Sequence, residues 1–100
     1  MIVVAGYLTV NPDHRAEALA AIDTCVTATQ AEDGNIDYRY SADLNDPNRL
    51  NLIEQWESED ALNAHMATPH LATFLELVGG FVGGPVEVTR HDVSSSSKLF

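Results

Sequence analysis

At 100 residues, 45% hydrophobic and 20% charged, the chain has the length and composition of one globular domain with a single core. Its formal charge of −10, from five Lys and Arg against 15 Asp and Glu, opposes binding to nucleic acid or anionic lipid, which reward cationic side chains. The lone Cys25 excludes an intrachain disulfide and reads as a small buried residue, since a thiolate metal site needs further ligands. No apolar run is long enough for a membrane span, and Met1-Ile-Val-Val lacks the basic start of a signal peptide, so a cytoplasmic location is expected.

Ile2 to Val10 is rich in β-branched residues and predicts a strand. Asn11 and Pro12 supply a cap and a first helical position. The helix that follows is expected to bury Ala16, Leu19, Ile22 and Val26 and to end at Asp33-Gly34-Asn35, with Gly34 left-handed. From Ile36 the period changes to two, with Ile36, Tyr38, Tyr40 and Ala42 on one face. Asn45-Asp-Pro-Asn48 turns the chain into a third strand, Leu50 to Trp56. Ser58 caps a second helix, with Glu59 and Asp60 at the positive end of its dipole. Thr68-Pro69 repeats the cap-plus-proline signal and predicts a break and restart, with Leu71, Phe74, Leu75 and Val78 as the new stripe. Gly79 to Pro85 is expected to be a loop; it lacks the Lys-Ser/Thr of a phosphate loop and the Gly spacing of a dinucleotide fingerprint. Pro85 to Val93 completes the set as a fourth strand. The order β-α-β-β-α-β predicts an α+β, ferredoxin-like domain over residues 1–93 and a flexible tail over 94–100.

In that layout helices cover one face of the sheet. Yet strand one is apolar on both sides: Val4, Leu8 and Val10 on one, Val3, Ala5 and Tyr7 on the other. Ile53 likewise opposes Leu50 and Leu52. A sheet apolar on both faces needs a second cover, and a homodimer with sheets packed face to face supplies it.

Chemistry concentrates between Glu54 and His70. His65 shares a helical stripe with Ala61, Leu62 and Met66, so its imidazole points towards the sheet, as a core-edge histidine or as a pocket-lining acid or base. His70 opens the next helix and is a second candidate base. One lies in a last helical turn and the other in a first, so their dipole environments are opposite and their proton roles need not agree. Their spacing of five across Pro69 suits no helical metal pair, and no metal is expected. Glu54 alternates with Leu52 and Trp56, so it needs a partner if inward; Arg39, Arg49 and Arg90 are the candidates for an ion pair. Trp56, Phe74 and Tyr7 are core residues or pocket walls.

Val3 to Pro12, Glu32-Asp-Gly-Asn-Ile-Asp-Tyr38, Asp46-Pro-Asn48 and above all Glu54-Gln-Trp…Ala61-Leu-Asn-Ala-His65 with Thr68-Pro-His70 resemble the antibiotic biosynthesis monooxygenase superfamily. The resemblance runs from Ile2 to Asp92 and implies a dimeric α/β barrel. It also implies a quinol-type monooxygenase that uses no metal or flavin, in which a deprotonated aromatic substrate supplies electrons to O2. On that expectation His65, and after it His70, would be catalytic, and Tyr7, Trp56, Phe74 and Glu54 would bind a quinol-like or polyketide-like substrate. The haem-degrading branch carries an Asn where this chain has Tyr7 and a Trp where it has His65, which argues against haem. The alternative of a different class is a non-catalytic dimeric module that binds small molecules or serves a stress response.

Overall fold

A computed structural model describes residues 1–100. The elements are β1 (Ile2–Val10), α1 (Arg15–Gln30), β2 (Asn35–Ala42), β3 (Arg49–Trp56), α2 (Glu59–Met66), α3 (Pro69–Phe81) and β4 (Val82–Asp92), with a 3-10 turn at Pro12–His14 between β1 and α1. The strands form one antiparallel sheet in the order β2-β3-β1-β4, the ferredoxin-like α+β arrangement. No helix is long and apolar enough to cross a membrane.

Local signals set most of the boundaries. The Asn11 side chain accepts from the Asp13 N–H, which opens the 3-10 turn. Ser58 accepts from the Ala61 N–H and Thr68 from the Leu71 N–H, so both expected caps start their helices. Gly34 has φ 81°, and a side chain there would also press into Ala61. That close approach matters for the site, because it lays the turn after α1 against α2.

The core lies between the sheet's inner face and the helices. Ile2, Val4, Leu8 and Val10 of β1 meet Leu50, Leu52 and Trp56 of β3, with Tyr38 from β2 and Leu62, Leu71, Phe74 and Phe81 from the helices. Val3, Ala5, Tyr7 and Ile53 alternate with this set and are half-buried on the opposite face.

Four expectations are corrected. First, α1 buries Ala18, Ile22, Cys25 and Thr29, while Ala16 and Leu19 are exposed. Small residues let this helix approach the sheet closely, and the bulkier Leu19 and Val26 fall to the flank. Second, Ile36 is 51% exposed, because a bulge between Asn35 and Asp37 takes it out of the alternation that Tyr38 and Tyr40 keep. Third, Leu75 is 56% exposed and Phe81 is buried in its place on the α3 stripe. Fourth, no loop separates α3 from β4. Gly79 and Gly80 are helical, since Phe81, packed on Phe74 at 6.2 Å between centroids, anchors the last turn. Gly83 lies in β4, where any side chain would strike the Asn11 backbone.

Candidate active site

Between α2, α3 and the sheet's inner face lies a cavity of about 440 Å³, within the range of small-molecule sites. Thirteen of its 17 lining residues are hydrophobic, so the walls select an apolar occupant and the few polar groups orient it. Leu8, Leu52, Tyr38, Tyr40, Leu62 and Phe74 form the deeper wall; Met66, Leu75, Val86 and Val88 are its more exposed residues. The polar members are Glu54, Asn63, His65 and Arg90.

His65 is fully enclosed at the end of α2, its ring 4.7 Å from the Trp56 ring and 5.4 Å from that of Tyr38. The Thr68 hydroxyl donates to the His65 carbonyl at 2.7 Å while accepting from Leu71, so one side chain sets the angle of the break. That break returns His70 towards α1. The Glu32 carboxylate, in the turn after α1, then meets both rings through Oε2, at 2.7 Å from Nδ1 of His65 and 2.9 Å from Nε2 of His70.

The spacing of five across Pro69 suits no metal pair on one helix face, but the expected restart at Pro69 turns His70 back so that both rings meet Glu32. Glu32, His65 and His70 bring donor atoms within 4.8 Å of one another, a set of types that could hold a metal ion. In this structure the three donors are engaged with each other.

Glu54 is buried on β3, but none of the expected arginines pairs with it. Its Oε1 accepts from the Trp56 indole N–H at 3.0 Å and lies 3.9 Å from Nε2 of His65. Arg39 extends from the opposite face to Asp37, Arg49 lies over the Tyr7 ring near Asp43, and Arg90 is held by Asp92 and Glu59. Burial pushes the Glu54 carboxyl above the usual carboxylate range, against the opposing pull of the Trp56 N–H and His65. Burial likewise raises the Tyr38 and Tyr40 phenols, which leaves both hydroxyls protonated at neutral pH.

A raised carboxyl contributes stability that is present below its unfolded pKa and lost as pH rises through its folded pKa. Glu54→Gln keeps an acceptor for Trp56 and removes the ionisation. Its melting temperature should therefore gain on the wild type between pH 5 and pH 8; an unchanged difference across that range would refute the assignment.

Of the residues expected at the site, His65, Glu54 and Phe74 line the cavity. His70 does not; it lines a separate groove of about 310 Å³ between α1 and α3. Trp56 lies behind the cavity wall, wholly buried against His65. Tyr7 is on the other face of the sheet, because it shares the parity of Val3 and Ala5. Glu32 and Asn63 lie within the motifs of the resemblance but no pattern gives them a role in this site, and Arg90 enters from sequence only as a candidate partner of Glu54. Tyr38 and Tyr40 had one in their shared strand face opposite Glu54 and Leu52.

Together these features define an α+β domain whose apolar cavity holds a carboxylate-bound imidazole. A sequence profile of antibiotic biosynthesis monooxygenases matches residues 1–77, and the chain belongs to that family. It is similar to the "Putative monooxygenase YcnE" of Bacillus subtilis, 30% identical over 94% of this chain and 99% of that protein. A shorter likeness, 47% over 36 residues, relates it to the "Probable quinol monooxygenase YgiN" of Escherichia coli, covering 36% of this chain and 35% of that one. The structure of Rv0793 from Mycobacterium tuberculosis superposes with a TM-score of 0.88 at 29% identity, over 97% of this chain and 98% of that one.

Proposed function

We propose that the protein is a cofactor-independent monooxygenase that oxidises a quinol-like or polyketide-like aromatic with O2. The observation that carries this reading is His65, an imidazole buried in an apolar wall and held through one nitrogen by a carboxylate. An apolar cavity excludes water, strengthens electrostatic interactions and suits a flat aromatic. His65 takes the phenolic proton, and the resulting anion is electron-rich enough to reduce oxygen. For an anthrone the balance is the ring CH2 plus O2 giving a ring C=O plus water, with the borrowed proton returned to the departing oxygen. Family membership and the named relatives support this class of chemistry.

Oxygen uptake with menadiol and with an anthrone tests the reading. Uptake above the buffer rate that depends on His65 is the expected result. Binding of these aromatics without oxygen consumption would replace it with the small-molecule-binding alternative.

We also propose that the working form is a homodimer. Val3, Ala5, Tyr7 and Ile53 lie on the sheet face that lacks the core helices, and a second copy would cover them. Light scattering should give the mass of two chains; a monodisperse single chain would refute it.

A further inference from the structure

We propose that Glu32 is the positioning residue that fixes His65 as a base at Nε2, and that His70 serves as the second donor holding Glu32 and does not itself meet the substrate. This deepens the monooxygenase chemistry above and rests on His65 being its base.

The argument begins with donors and acceptors. An ionised carboxylate only accepts hydrogen bonds, so the 2.7 Å contact from Glu32 Oε2 requires His65 to carry its proton on Nδ1. A neutral ring then has its lone pair on Nε2. That nitrogen lies on the Glu54 side, and Glu54 and His65 line the same cavity. The basic atom thus faces the space a substrate would fill. Without Glu32 the carboxylate left beside the ring is Glu54, 3.9 Å from Nε2, which favours the opposite tautomer.

His70 completes the constraint. Its Nε2 lies 2.9 Å from the same Oε2, so the oxygen accepts from two rings that approach from different helices. Side-chain exposure rises from 2% at His65 through 14% at Glu32 to 26% at His70. The carboxylate is therefore sheltered between a buried ring and a partly wetted one. His70 opens on the α1–α3 groove with Glu17 and Thr24, and that groove is distinct from the apolar cavity. A proton taken directly by His70 would have to come from a substrate in the wrong place.

Glu32→Leu separates this role from simple packing, because leucine fills much of the same space and, unlike an amide, has no oxygen to present to Nδ1. The Glu54 carboxylate, 3.9 Å from Nε2, then draws the His65 proton to that nitrogen. The base then points the wrong way, a defect that costs a carboxylate–histidine pair about 10⁴-fold in kcat in a comparable catalytic arrangement.

Nitrogen-15 NMR of the ring nitrogens in the resting protein reads the tautomer without any turnover. Wild-type His65 should carry its proton on Nδ1, and Glu32→Leu should shift it to Nε2. His70→Ala should leave the His65 tautomer in place. With menadiol, kcat should fall about 10²–10⁴-fold in Glu32→Leu, no further than in His65→Ala, with KM within about threefold, and about tenfold or less in His70→Ala. A wild-type proton on Nε2, or a Glu32→Leu protein with Nδ1 still protonated and Nε2 bare, would overturn the proposal. So would a His70→Ala protein as inactive as His65→Ala. Stoichiometric Zn2+ uptake that disappears in Glu32→Leu and His70→Ala would also overturn it, since the three donors would then be ligands. If menadiol and anthrone are not oxidised at all, the monooxygenase reading fails while the tautomer measurement still decides this one.

Discussion

His65→Ala should lower kcat for menadiol oxidation by about 10²–10⁴-fold, the usual contribution of a positioned general base. The expectation rests on a geometry that offers no second imidazole in the cavity. Glu54 is the remaining acceptor in the same wall, with Oε1 held by the Trp56 N–H, so the residual rate of His65→Ala is its contribution. The Tyr38 and Tyr40 hydroxyls are pushed up by burial and accept no proton at neutral pH. His70 lies in the other groove. KM should change little, because the apolar wall that binds the ring remains. Removing an enclosed side chain also costs stability, so the rate must be measured well below the variant's melting temperature. His65→Gln, which keeps bulk and a polar contact to Glu32 but cannot serve as a base, should be as slow as His65→Ala. A rate for both variants within twofold of the wild type would remove His65 from the mechanism.

How much of this was legible in the sequence depends on whether the decisive contact was local. Strands and caps are local: β-branched runs, Ser58 and Thr68-Pro69 marked their elements because the signal and the consequence are a few residues apart. The Gly79 to Pro85 segment was misread for the opposite reason. Two glycines looked like a loop, but burial of Phe81 holds the helix, and Gly83 answers to Asn11 more than 70 residues earlier. Tyr7 shows a different limit. Strand β1 is apolar on both faces, so alternation grouped Tyr7 correctly with Val3 and Ala5 without saying which face the helices cover.

The site followed the same division. His65 was visible as a polar residue on an apolar helical stripe. Its partner was not, because Glu32 is 33 residues away and reaches it only through the Gly34 turn packed against Ala61. The Glu54 pairing failed on direction: three arginines were available in sequence, yet each is committed elsewhere, and the indole two residues on satisfies the carboxylate. Glu54 is therefore partnered by what shares its face and not by opposite charge.

Trp56→Ala should destabilise the fold by about 3–5 kcal/mol, a loss comparable to the whole stability of a weaker domain. The indole is wholly enclosed at the end of β3, so truncation leaves a cavity beside the His65 ring that neither the strand nor α2 can collapse to fill. A second cost is polar: Glu54 loses its N–H donor in a place where water is scarce. Trp56→Phe separates the two. It keeps much of the ring volume while removing the N–H, and should cost about 1–3 kcal/mol. The N–H opposes the upward push of burial on Glu54, so its removal raises that carboxyl further above its unfolded value. By linkage the stability tied to the protonated carboxyl is present below the unfolded pKa and lost as pH rises through the folded one. The deficit of Trp56→Phe should therefore be smallest near pH 4 and grow towards pH 8, whereas the cavity part of Trp56→Ala is independent of pH. Urea denaturation of both variants at several pH values measures the two contributions. A Trp56→Phe deficit that does not vary with pH would mean that the indole holds Glu54 by packing alone.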